Sequence, residues 1–223
     1  ILFQVTRTEK GSGRLTEDSR LVFLTSMSPG SKERPYFFRM KDDESGTNPP
    51  VQDGIKILDP VQKDGFRRLN TDSYMIELCR GTANGTTGGK WGIRYFEELS
   101  THENLILDYS NAIGGVFGPF FTPENGFINP PEHAVADITV EEEGPLLCRY
   151  RFHIQVPDGL DPALHDSEID ILWSFFYKSR RFDRIYKVSE YETMVDRMPV
   201  SNKITVGDEF EGARRVEFKG GSE

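Results

Sequence analysis

"LLCRYRFHIQV", residues 146–156, is the stretch that decides the fold. Cys148, Tyr150, Phe152, Ile154 and Val156 alternate with Arg149, Arg151, His153 and Gln155. Successive side chains of an extended chain point to opposite sides, so this period of two gives one apolar face and one polar face. The stretch therefore reads as a half-buried strand whose wet side carries Arg149, Arg151 and His153.

The neighbouring sequence repeats the pattern. In "EIDILWSFFYK", residues 168–178, Ile169, Ile171, Trp173, Phe175 and Tyr177 share a face. "RFDRIYKVSEYET", residues 181–193, follows after the short link "SRR", so the two segments are expected to pair as an antiparallel hairpin. Earlier strand candidates are residues 1–7, 20–26, 73–79, 90–96, 104–109 and 134–143, and "NKITV" and "RRVEF" add two near the end. Helical periodicity is nearly absent; "RYFEELSTHE", residues 94–103, is the one place where a turn or two of helix is expected. Polar or glycine-rich loops are expected at 8–19, 41–54 and 80–90, the last a candidate tip or lid. Many short strands between Gly/Pro loops point to an all-β sandwich or barrel, and the expectation is an antiparallel sandwich as one domain over residues 1–223.

Composition narrows the function. The 223 residues carry 27 basic and 36 acidic side chains, a net charge of −9. That balance argues against a nucleic-acid backbone or an anionic membrane surface as partner, since both need a basic face. No apolar run reaches the roughly 20 residues of a membrane helix. No signal peptide is visible, which favours a cytoplasmic location, while the start at Ile1 leaves a trimmed leader and secretion open. Asn84-Gly85-Thr86 forms a glycosylation sequon that matters only in a secreted protein. Cys79 and Cys148 read as small buried hydrophobes, with a single disulfide as the alternative. Neither Cys-x-x-Cys nor His-x-x-x-His occurs, so no structural metal is expected. "DGLDPALHDSEID", residues 158–170, could hold calcium through carboxylates, but it lacks the EF-hand spacing. No cofactor is expected, because the chain has no nucleophile elbow, Walker loop or dinucleotide fingerprint.

The remaining chemistry centres on "GGVFGPFFTPENGFINPPEH", residues 114–133. Its prolines stiffen the path, its phenylalanines supply apolar area, and Asn125-Gly126 is a turn pair. The stretch is expected to be an ordered loop lining a pocket. His133 and Glu132 close it and are the acid–base candidates, because burial and a neighbouring charge can bring either group toward neutrality. His102 is the second histidine candidate. Arg149, Arg151, His153, Glu124 and Asn125 are the expected polar contacts to a ligand, and Trp91 and Phe120 the expected rings for stacking.

The segments "ITVEEEGPLLCRYRFHIQV" (138–156) and "IDILWSFFYKSRRFDRIYKV" (169–188) together resemble the galactose-mutarotase-like β-sandwich group. That group includes aldose epimerases, polysaccharide lyases and the sandwich domains of several glycosidases. The resemblance implies a sugar or glycoside bound in a concave sheet, with His and Glu or Asp as acid–base groups. It carries over no complete catalytic motif. Two other readings stand beside it: a non-catalytic sandwich acting as a binding or accessory subunit, and a lipocalin-like barrel around an apolar small molecule. The mixed face at 149–155 favours the sugar. An oligomer or larger assembly stays open.

Overall fold

The computed structural model describes residues 3–6, 16–24, 53–106, 113–116, 133–155, 168–188, 192–195, 198–201 and 206–208. In chain order the strands are β1 (Phe3–Thr6), β2 (Arg20–Phe23), β3 (Lys56–Leu58), β4 (Gly65–Asn70), β5 (Tyr74–Cys79), β6 (Gly92–Glu98), β7 (Glu103–Asn104) and β8 (Ile113–Val116). They continue with β9 (Asp137–Glu143), β10 (Leu147–Gln155), β11 (Glu168–Phe176), β12 (Phe182–Val188), β13 (Glu192–Val195), β14 (Met198–Ser201) and β15 (Val206–Asp208). Helix is scarce among the described residues: a short 3-10 turn, Thr87–Gly89, and the helical residue His133. The fold is all-β, and every strand pairing is antiparallel.

Two sheets make the body. The smaller has the order β12-β11-β10-β9 and the larger the order β15-β8-β6-β5-β4-β3, with β7 added beside β6. β1-β2 and β13-β14 form separate two-stranded ribbons. The alternation read from residues 146–156 is the alternation observed: Cys148, Tyr150, Phe152 and Ile154 are buried, while Arg149, Arg151 and His153 are partly exposed. Ile169, Ile171, Trp173 and Phe175 of β11 join the same inner layer. Leu69, Tyr74, Ile76, Leu78 and Ile93 of the larger sheet belong to the same core. Rings cross between the sheets at Phe66–Tyr150 (5.7 Å), Phe96–Phe182 (6.1 Å) and Tyr74–Phe182 (6.3 Å). These contacts identify a sandwich, because each sheet buries its apolar face against the other.

The expected hairpin of residues 168–193 is present, with Phe175 opposite Phe182 and Ile169 opposite Val188. Residues 94–103 are a correction. They form β6, a turn and the start of β7, not helix. The row that looked helical, Tyr95 to Glu98, pairs residue by residue with β5, from Glu77 opposite Tyr95 to Tyr74 opposite Glu98. Tertiary pairing overrides the weak local preference. Residues 114–116 of the aromatic stretch are strand β8, so that segment is not wholly a loop; residues 117–132 lie outside the described residues.

Gln4 ties the β1-β2 ribbon to the smaller sheet. Gln4 is 6% exposed. Its Oε1 accepts from the Leu146 and Leu147 backbone N–H groups at 2.9 and 2.8 Å. Its Nε2 donates to Leu147 O at 3.0 Å and to Glu142 Oε1 at 2.9 Å. An amide has two donors and two acceptor sites, so all four are used. Gly144 leaves the room for this, since a Cβ there would overlap the Gln4 amide.

Candidate functional site

An open pocket of about 490 Å3 lies where β5, β6 and the β6–β7 turn meet. Strand alternation builds its floor. Tyr74 and Phe96 face inward from β5 and β6, their rings 5.3 Å apart, and Leu105 follows β7. Ser73, Glu98, Ser100, Thr101, Glu103 and Arg180 complete the lining. The floor is thus apolar, while the rim offers hydroxyls, carboxylates and one guanidinium.

Glu98 is fixed within this rim. Its carboxylate accepts from Ser100 Oγ at 2.6 and 2.8 Å and from the Thr101 N–H at 2.9 Å. The Ser100 hydroxyl above all, with Thr101 and the positive charge of Arg180, holds the carboxyl below its usual range. It is therefore ionised at neutral pH, an acceptor of hydrogen bonds and not a proton donor. Tyr74 anchors the floor by donating to the Arg181 carbonyl at 3.2 Å. Burial, reinforced by the Asp183 charge, pushes its phenol far above the ordinary value, so it stays neutral.

The next residue along β6 points the other way. Glu97 accepts from Tyr95 Oη at 2.6 Å and pairs with His102 Nδ1 at 2.9 Å. The Tyr95 hydroxyl chiefly, then His102, lowers the Glu97 carboxyl. His102 takes a positive φ of 57° at the turn, and its side chain is 77% exposed. Beside this trio the Arg68 guanidinium lies over the Tyr95 ring at 4.5 Å and meets buried Glu77 at 3.6 Å. Glu77 also accepts from the Val61 and Gln62 N–H groups. A second buried pair, Arg94 with Asp64 at 2.8 Å, ties β6 to the turn before β4. These two pairs tie β4, β5 and β6 and the turn before β4 to one another.

Of the residues singled out from sequence, Arg149, Arg151 and His153 share the polar face of β10, where each has a partner on a neighbouring strand. Arg149 donates to Ser174 Oγ at 3.3 Å, Arg151 to Glu141 at 2.6 Å, and His153 pairs with Asp170 at 3.1 Å. Each partner lies on an adjacent strand, so the polar face of β10 is satisfied within its own sheet. Trp91 is fully buried and offers no face for stacking; its Nε1 has no partner among the described residues. His133 is half-buried and lies against Gly85 of the 80–90 turn. Glu132, Phe120, Glu124 and Asn125 lie outside the described residues. His102 alone of the candidates sits on the turn whose Ser100 and Thr101 line the pocket.

Cys79 and Cys148 are both free and buried, so they form no disulfide. Burial pushes the Cys148 thiol up to about 11 and the Cys79 thiol higher still. Among the described residues no group of three His, Cys, Asp or Glu side chains could hold a metal ion, and most of the acidic 158–170 stretch lies outside them. Among the same residues no helix is long and apolar enough to cross a membrane.

Sequence reasoning missed Ser73, Tyr74, Phe96, Glu98 and Arg180. A signal was present in "ELSTHE", residues 98–103, where two hydroxyls sit between carboxylates. In place of the expected helical turn, these residues form the β6–β7 hairpin, which turns those groups toward a cleft. No protein-family model matches the chain, and neither curated proteins nor solved structures give a match.

Proposed function

We propose that this chain is a carbohydrate-binding β-sandwich, with a neutral sugar unit held in the pocket beside the β6–β7 turn. The lining of that pocket carries the reading. A sugar ring has an apolar C–H face and an edge of hydroxyls that both donate and accept. Tyr74, Phe96 and Leu105 supply apolar area for the first. Glu98 and Glu103 supply acceptors for the second, and Arg180 supplies donors. The volume lies within the roughly 300–1,000 Å3 of small-ligand sites. The carboxylates of Glu98 and Glu103 and the Arg180 guanidinium at the rim suit a ligand that carries hydroxyls better than a purely apolar one.

Glu98 is held ionised, so at neutral pH it serves the sugar as a hydrogen-bond acceptor and not as a proton donor. A second reading is acid–base chemistry by the Glu97–His102 pair, which lies on the other face of β6 from the pocket lining. Glu97 holds His102 by Nδ1, which leaves Nε2 for proton transfer, and an oriented histidine of this kind is what a general base requires.

Amide NMR during titration with a panel of neutral mono- and disaccharides tests the binding reading. Shifts should concentrate at Ser73, Phe96, Ser100, Thr101, Glu103 and Leu105, and Arg180→Ala should abolish them while the fold persists. Saturable shifts confined to other residues, or none with any sugar, would remove the proposal. Turnover of a bound glycoside that disappears in His102→Ala, with sugar affinity retained, would move preference to the catalytic reading.

A further inference from the structure

The turn between β5 and β6 carries a reactive group that the binding reading does not use. Asn84, Gly85 and Thr86 are exposed. Asn84 Oδ1 accepts from the Thr86 backbone N–H at 3.0 Å and from Thr86 Oγ1 at 2.8 Å. Gly85 has φ of 71°, and its amide carries no side chain to hinder approach to the Asn84 side chain. Two donors on one carbonyl oxygen withdraw electron density from the attached carbon. They also stabilise the negative charge that builds on oxygen when a nucleophile adds.

We propose that Asn84 is a site of spontaneous deamidation, activated by Thr86. The nitrogen of Gly85, after losing its proton to solvent base, forms a bond to Asn84 Cγ. The bond from Cγ to the side-chain nitrogen then breaks, and ammonia leaves with a proton. A five-membered succinimide remains. Water adds to either of its carbonyls and breaks one C–N bond, giving aspartate or isoaspartate. The net reaction consumes one water and releases ammonia, with no oxidant or enzyme needed.

The position gives the reaction a structural consequence. Thr82 N–H donates to Gly89 O at 2.9 Å, and Gly89 N–H donates to Thr86 O at 2.9 Å, so the turn is closed on itself. A Cβ at Gly89 would fall on Asn84 Oδ1 and Thr82 Oγ1, so the Asn84 side chain fills the inside of this loop. An isoaspartate adds a methylene to the main chain and a negative charge at that spot. Gly85 lies against the His133 ring, so the change falls beside the residue that closes the aromatic stretch.

Trypsin cuts after Arg80 and Lys90, so residues 81–90 form one reporter peptide in which Asn84 is the only asparagine. The folded protein, held in mildly alkaline buffer, is digested at intervals and weighed by mass spectrometry. Isoaspartate is scored separately with isoaspartyl methyltransferase. The expected result is a steady gain of about one mass unit in that peptide, with isoaspartate present. Thr86→Val should slow it by about tenfold, less than the loss for a donor in a dry active site because this turn is wet. The free peptide 81–90 serves as the reference that needs no fold. Conversion of the free peptide with none in the folded protein would overturn the proposal. An unchanged rate in Thr86→Val would overturn it equally, since the activating donor would then do nothing.

Discussion

Gln4→Leu removes the amide that docks the β1-β2 ribbon while keeping a side chain of similar size. Four hydrogen bonds disappear together. Leu147 O keeps the Gly144 N–H at 3.1 Å as a donor, and Glu142 is partly exposed, so those two acceptors are not orphaned. The Leu146 and Leu147 N–H groups lose their Gln4 acceptor at a buried site. An unsatisfied buried donor costs about 1–3 kcal/mol, so two cost about 2–6 kcal/mol. Release of the ribbon would let water reach the two amides and hold the loss near the lower end of that range. Denaturant unfolding gives the total, and amide hydrogen exchange at Leu146 and Leu147 separates the two routes. Faster exchange at these two amides with little change at Phe152 means the ribbon has let go. A loss below about 1 kcal/mol with both amides still protected would refute the reasoning, because the bonds to Gln4 would then carry no weight.

Phe152→Ala should cost about 3–5 kcal/mol in a denaturant titration, as for a ring taken from a tight core; Arg151→Ala should cost less than about 1 kcal/mol, because its partner Glu141 is a surface group. Tyr95→Phe should raise the Glu97 titration midpoint read by carboxyl NMR, since the Tyr95 hydroxyl is the main cause of its lowering. The sign follows from that direction. A carboxyl lowered in the folded state contributes stability above its unfolded pKa, and that stability is lost as pH falls through the folded midpoint. The acid-side slope of stability against pH should therefore flatten in Tyr95→Phe, and an unaltered slope would count against this linkage. Native protein should resist thiol alkylation at neutral pH, with Cys79 and Cys148 both reacting once denatured; rapid labelling of either in the native state would contradict their burial. Gly144→Ala should loosen the same ribbon as Gln4→Leu, and the two losses should be less than additive because they break one contact.

Much of the fold was legible along the chain. The period of two at residues 146–156 and 168–178 named the buried and exposed faces of β10 and β11, because alternation is a property of the strand itself. The hairpin joining β11 to β12 followed from one short link between two such strands. β4 was not found, since a register shift between Gly65 and Arg67 breaks the alternation and its sequence "GFRRLN" is basic. β3 and β8 are short or glycine-bearing, and pairing with a neighbour, not composition, makes them strands.

The site was far less legible. The sequence on its own determined that Arg149, Arg151 and His153 share a face. Only the tertiary structure decided that Ser174, Glu141 and Asp170 stand beside them and take up their hydrogen bonds. Likewise the sequence marked Trp91 as a large aromatic, but the surrounding sandwich decided that no part of it meets solvent. Ser73 and Arg180 stand more than a hundred positions apart and line one pocket only because β5 and β12 belong to facing sheets. Alternation depends on bonds within one strand and is written locally. A pocket depends on which strands are brought together, and that is fixed by how the whole apolar surface is buried.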